Sequence, residues 1–208
     1  PFPFYSDDGQ VVKAQAFGSF GDNRKLFAGA ASVLRYNTEG TEFAISFPSG
    51  TKDEELIFVR SDTLQNVKST IEKVREWRKA SAIKHHKVNA IDTILIPSLQ
   101  IDHYEDMAKY LRGIATLDSG NRVAIARAGQ RVQLNLDETG SQMKTAAFII
   151  PPTFLSTGGG AESPVAETAQ ARNFLFNRPF QVMLWKKDAD IPFFFARIDT
   201  SALKRVDP

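Results

Sequence analysis

The chain holds three histidines, His85, His86 and His103, ten prolines and no cysteine. Nucleophilic catalysis would need a Ser or Cys beside an imidazole that a carboxylate orients. No G-x-S-x-G elbow occurs, and all three histidines stand in polar, charged surroundings, which reads as surface histidine. His85 and His86 are adjacent, so on a helix or strand they diverge, and no H-E-x-x-H or comparable ligand spacing follows for zinc. "SGTK" at Ser49 to Lys52 lacks the earlier glycine of a phosphate loop, and the glycine run at Gly158 leads into no strong helix. "SDDGQ" at Ser6 to Gln10 stops short of a calcium-ligand series and reads as a plain turn. Trp77, Trp185 and Phe193-Phe194-Phe195 have no interleaved Arg or Lys and read as core aromatics rather than stacking platforms. The residues therefore call for no enzyme, no cofactor and no metal.

The bulk numbers fit that reading. In 208 residues, 42% hydrophobic and 11% aromatic content supplies a sizeable core, and one domain over residues 1–208 is expected. A formal charge of +2 with both signs interspersed gives no basic stripe, so nucleic acid and membrane surfaces are not expected partners. No apolar run approaches the roughly 20 residues of a membrane span. Without cysteine, disulfides and thiolate metal or redox sites are excluded, which suits a reducing cytosol or an exported protein without bridges. Because the first residue is Pro, an N-terminal segment is expected to have been removed, and a secreted or periplasmic location is favoured over a cytoplasmic one.

The elements that would position any site are β-rich. Val11 to Phe17 reads as one strand. Ala30 to Tyr36 and Glu42 to Phe47 form a hairpin across "NTEGT", where Gly40 supplies positive φ. Ser61-Asp62 as N-cap, with Gln65 three residues on, opens a helix carried by Leu64, Val67, Ile71 and Val74 to about Lys79. Val88 to Ile101 reads as two collinear strands, or one edge strand bent at Pro97. Tyr104, Met107, Tyr110, Leu111 and Ile114 define one face of a second, short helix. Val123 to Leu136 reads as a strand whose second half buries Val132, Leu134 and Leu136. Ser156 to Ala171 is small and polar and is expected to be a mobile loop, within a longer one at about 151–173. The final apolar runs around "KKDAD" form a buried hairpin. The fold class is α+β, with antiparallel sheets, a core C-terminal hairpin and a few helices.

Taken in order, these segments resemble the C-terminal half of the serpin family. "VVKAQAF" resembles the strand leading into the family's "KVPMM", and "AASVLRYNTEGTEFAISFPSG" its hairpin "VLLMKY…ATAIFFLP". "DTILIPSLQIDHYEDMAKYLRGI" is similar to "LHLPKFKI…YDLKEVLKKLGI", and "NRPFQVMLWKKDADIPFFFARI" to "NRPFLFLI…ILFMGRV". The resemblance runs over nearly the whole chain and is most specific at I-P-x-L-x-I-x-x-Y and N-R-P-F. It implies that "LNLDETGSQMKTAAFII" holds the reactive-loop hinge, the family's "EEGTEAAAAT", with Glu138, Gly140, Ser141, Met143 and Thr145 at hinge positions. It also implies a scissile bond at Phe154-Leu155, and thereby a chymotrypsin-like or subtilisin-like serine protease as partner.

Three departures shape what the resemblance implies. Met143 is large where the family has a small residue, at an overpacking cost of roughly 1–3 kcal/mol on insertion. Gln130 stands in the place of the family's shutter histidine. The family's N-terminal half, which supplies one wall of the insertion slot, has no counterpart in these residues. The strand ending at Leu136 is then expected to have a free edge, with which Ser141 to Ile150 pairs at once through a "DETG" turn. Pro151 to Asn173 can span up to roughly 75 Å as a tether, at about 3.3 Å per residue. The expected function is a serpin-like, non-enzymatic, protease-interacting or degenerate inhibitor module whose hinge is already paired as a strand. The alternatives are a true suicide-substrate inhibitor whose N-terminal half lies elsewhere, and a structural or interaction module. An exposed strand edge adds a homodimer to the expected partners.

Overall fold

The computed structural model describes residues 1–20, 27–49, 51–63, 66–84, 86–106, 114–116, 122–124, 129–137, 140–143, 148–149 and 170–206. Its largest unit is an antiparallel five-stranded sheet built from β4 (Ser32–Tyr36), β5 (Phe43–Pro48), β6 (Glu54–Arg60), β15 (Phe180–Lys186) and β16 (Phe194–Ile198), ordered β16-β15-β6-β5-β4. β6 and β15 are buried along nearly their whole length, and their central apolar runs are covered on both faces. Period-two alternation divides their side chains between two clusters. Leu56, Phe58, Phe180, Val182 and Leu184 enter the main core, while Ile57, Val59, Met183 and Trp185 enter a second cluster.

The second cluster is closed by α1 (Val67–Lys84), which brings Ile71, Val74 and Trp77 onto it. Two turns beyond Ile71, Arg78 fastens the helix to the sheet. Its Nε donates to Glu55 Oε1 at 2.6 Å, its guanidinium lies 4.6 Å from the Trp185 ring, and Ser46 Oγ holds the other Glu55 oxygen. The helix starts later than the sequence suggests. Asn66 is the cap, with Oδ1 accepting from the Ser69 N–H at 2.8 Å, whereas the Ser61 hydroxyl is engaged with Thr63 and Glu42.

The remaining sheets are smaller. β1 (Phe2–Tyr5) pairs with β2 (Val11–Ala14) across the "SDDGQ" turn; β3 (Ala16–Ser19), β7 (Thr93–Pro97) and β14 (Asn173–Leu175) form a three-stranded sheet in which β14 and β7 run parallel. β8 (Leu99–Asp106), β11 (Gly129–Asp137), β12 (Gly140–Met143) and β13 (Phe148–Ile149) form a four-stranded antiparallel sheet ordered β13-β12-β11-β8. β9 (Ile114–Thr116) pairs with β10 (Arg122–Ala124). At Gly18 the β3 backbone comes so close to β7 that a Cβ would sit 1.9 Å from the Ile94 carbonyl oxygen, so only glycine fits.

An aromatic chain joins the five-stranded sheet to "NFLFNRPF". Phe176 is fully buried and meets Phe43, Phe58 and Phe180 in edge-on contacts, with centroids 5.0, 5.6 and 5.0 Å away. Arg60, lying over the Phe43 ring, donates from Nη1 to the Leu175 carbonyl at 3.0 Å. Burial lowers its proton affinity, an effect that Asp62 opposes and Arg178 reinforces.

Several expectations hold. The β4–β5 hairpin turns at Gly40 with φ 67°, and the C-terminal hairpin β15–β16 is antiparallel and buried. Others are corrected. Val11 to Phe17 is two strands in different sheets, parted at Gln15 because the chain crosses from one sheet to the next there. Val88 to Ile101 does hold two successive strands, as one of its two readings expected, but they belong to different sheets and part at Ser98. Val123 to Leu136 is divided between β10 and β11, again in different sheets. Tyr104 extends β8 and Ile114 opens β9, so neither lies on the expected second helix; residues 107–113 are outside the described set. Among the described residues there is one α-helix rather than a few. Phe193 is 44% exposed, unlike its core neighbour Phe194. Most of the expected loop, 151–169, lies outside the described residues, and its expected end at 173 is too late: Arg172 and Asn173 are already fixed in the fold.

Candidate functional site

The segment that the serpin resemblance leads one to expect as a hinge follows β11, the strand that carries the boundary between core and solvent. Leu134 and Leu136 are buried in the main core, and Val132 and Ile101 pack against it. Polar groups knit the alternate positions of β8 and β11. Arg131 Nε and Nη2 donate to Asp102 Oδ1 and Oδ2 at 2.8 and 2.6 Å, and Gln133 Nε2 donates to Oδ2 at 2.9 Å. The Asp102 carboxylate, chiefly through that hydrogen bond, raises Arg131 further above its ordinary value. Bidentate geometry of this kind fixes register more than it adds stability at an exposed position.

Beyond Asp137 the chain reverses. β12 pairs antiparallel with β11 in the register Asp137↔Gly140, Leu136↔Ser141, Asn135↔Gln142 and Leu134↔Met143. Gly140, Ser141 and Met143 are therefore in the sheet, the last two opposite the two buried leucines of β11. A hairpin at "DETG" is what the sequence leads one to expect. The continuation differs: Met143 and Phe148 are partners, as are Gln142 and Ile149. The chain reverses a second time, so Ser141 to Ile150 is not one continuous strand, and β13 covers part of the outer edge of β12. A four-residue strand leaves a short edge, which a second fold-back can blunt.

Lys204 fastens the turn end of the hairpin, its Nζ donating to Asp137 Oδ2 at 2.8 Å with both side chains largely covered. Gln130 is the Cα partner of Glu105, seven residues before that turn. Glu138, Thr145, Phe154 and Leu155 fall outside the described residues.

A second anchored point is the chain's re-entry at Arg172. Asp92 is fully buried and receives Arg172 N at 2.9 Å and Nη2 at 2.7 Å, together with the Asn89 N–H at 2.8 Å. Arg172 Nη2 also reaches the Lys87 carbonyl at 2.8 Å. This satisfied buried pair seats β14 beside β7. Nothing in "NAIDT" marks Asp92, because its partner is 80 positions away.

The residues screened for chemistry stay apart. His86 lies beside β4, its carbonyl accepting from the Val33 N–H at 2.7 Å, while His103 is exposed in the middle of β8; His85 lies outside the described residues. Of "SGTK", Ser49, Thr51 and Lys52 lie between β5 and β6, with the Ser49 hydroxyl donating to the Thr51 carbonyl at 3.1 Å, and Gly50 is outside the described residues. Among the described residues no group of three or more His, Asp or Glu gathers as a metal site, and no helix is long and apolar enough to cross a membrane.

Comparison with known proteins places this architecture. No protein-family model and no curated protein sequence matches the chain. Solved structures do match. Human thyroxine-binding globulin complexed with thyroxine superposes with TM-score 0.56 and 13% identity over 94% of this chain and 48% of that one. Human glycosylated kallistatin gives 0.59 and 10% over 95% and 49%, and Manduca sexta serpin-12, titled a serine protease inhibitor, 0.53 and 14% over 97% and 50%. The chain spans about half the length of these solved serpins, and its fold is a partial serpin fold.

Proposed function

We propose that this chain is a non-enzymatic, serpin-like module that engages a serine protease without trapping it covalently, because its reactive-loop hinge is already stored in a sheet. The pairing of β12 with β11 from Asp137↔Gly140 to Leu134↔Met143 carries the reading. Covalent trapping depends on a free-energy difference between a loop outside the sheet and a strand within it. A segment already paired leaves little of that difference to spend on distorting a protease.

On this reading Glu138, Gly140, Ser141, Met143 and Thr145 form the hinge. Gln130 stands at the shutter position, and Phe154-Leu155 is the bond offered to a chymotrypsin-like or subtilisin-like protease. The fold likeness to a protein titled a serine protease inhibitor supports the choice of partner. The outer edge of β12, met among the described residues by β13 at Gln142 and Met143, supports pairing with a second copy.

Equimolar incubation with chymotrypsin and with subtilisin, followed by a denaturing gel, tests the proposal. A clipped chain without a denaturant-resistant complex is expected. A covalent band would replace the reading with that of a suicide-substrate inhibitor.

A further inference from the structure

Residues 200–206 follow β16 as a short 3-10 turn and two isolated bridges, yet they touch two further sheets and both points where the chain crosses between sheets. Its backbone closes a triangle with the two crossing points of the fold. Gln15 N–H donates to the Lys204 carbonyl at 2.9 Å, Lys204 N–H to the Ser98 carbonyl at 2.9 Å, and Ser98 N–H to the Gln15 carbonyl at 2.8 Å. On either side, Arg205 bridges Ala14 of β2 and Leu203 bridges Leu99 of β8. Leu203 and Ala202 are buried in the core cluster that holds Leu99, Leu134 and Leu136. The same residue that completes the triangle sends its side chain to Asp137, the last residue of β11 and the partner of Gly140.

We infer that residues 200–206 act as a strap, and that the Lys204–Asp137 contact makes the closure of the β11–β12 hairpin depend on the strap being seated. β12 has four register pairs with β11, so the pair next to the turn is a large part of what holds it. Short terminal ladders open locally at far lower cost than a buried sheet. A charge-assisted bond on Asp137 restrains that end, and the strap's own seat restrains Lys204. Displacing the tail, by a proteolytic cut or by a competing extended peptide, releases the hairpin and leaves the five-stranded sheet closed. The inference rests on this wiring and holds whether or not a protease is the partner.

Hydrogen exchange on the full chain tests it, comparing wild type with Lys204→Met, which keeps the aliphatic stem, and Lys204→Arg, which keeps the charge. The expected result is exchange at least about tenfold faster for the protected amides of Gly140–Met143 in Lys204→Met, corresponding to about 1.4 kcal/mol. Lys204→Arg should stay close to wild type, and amides of β5, β6 and β15 should not change. Asp137→Ala removes the acceptor from the other side and should reproduce the Lys204→Met pattern. Uniform acceleration across the whole chain, unchanged exchange at 140–143, or a silent Asp137→Ala would each overturn the inference.

Discussion

The five-stranded sheet and the four-stranded sheet are built on opposite terms. In the first, β6 and β15 bury both faces, and even their ends are tied to neighbours through Arg60 and Arg78. In the second, pairing shrinks outward from β8 and β11, with eight and nine residues, to four in β12 and two in β13. Burial cannot be withdrawn from the first sheet without unfolding it, whereas in the second β12 and β13 are joined through ladders of four and two register pairs. Rigidity and the capacity for local change are thus assigned to different sheets of one chain.

The largest expected effect comes from breaking the rigid side. Phe176→Ala empties the junction between Phe43, Phe58 and Phe180 and should cost about 3–5 kcal/mol in denaturant unfolding. Asp92→Asn leaves the Arg172 guanidinium without its carboxylate and should cost about 3 kcal/mol, at the low end for a broken buried pair because Arg172 keeps 19% exposure. Gly18→Ala drives a methyl into the Ile94 carbonyl and should cost roughly 1–3 kcal/mol. On the other side of the comparison, Ser141→Pro puts a residue without an N–H and with a fixed φ into β12 and should lower global stability by less than about 1 kcal/mol, while abolishing exchange protection at Gly140–Met143. If Ser141→Pro proves as costly as Phe176→Ala, the contrast between the sheets fails.

The smallest effect is the acid dependence of the β1–β2 turn. The Ser6 hydroxyl, and after it the Gln10 N–H, hold the Asp8 carboxyl below its ordinary value. The folded state therefore gains from ionised Asp8 above the ordinary carboxylate range and loses that gain as the pH falls through the lowered value. Asp8→Asn should flatten the low-pH limb of the stability curve slightly, as read from melting against pH.

The apolar run in "FQVMLWK" was readable as one half of a buried hairpin, whereas "EELIFVR" was not legible as a strand, its four apolar residues being flanked by charged Glu54, Glu55 and Arg60. The β4–β5 turn was readable as well, because Gly40 is demanded by its positive φ. What could not be read were the crossing points at Gln15 and Ser98. There the strand pattern continues while the sheet changes, and the bonds that part the strands come from Lys204, far along the chain. Tyr104 misled for a related reason. Its spacing with Ile114 fits a helix, but pairing with Arg131 extends β8 through it. At the candidate site, the turn after Asp137 was legible from Gly140, whereas the reversal between Met143 and Phe148 and the Lys204–Asp137 contact depend on tertiary partners with no local signature.

The melting temperature of the intact chain, set against that of the chain after chymotrypsin has cut at the proposed Phe154-Leu155 bond, tests most directly whether the proposed hinge is already stored. Equal melting temperatures are the predicted result, because cleavage has no strand left to release into a sheet. A rise on cleavage, at about 2–4 °C for each kcal/mol released in a chain of this size, would show that insertion was still to come and would contradict the account.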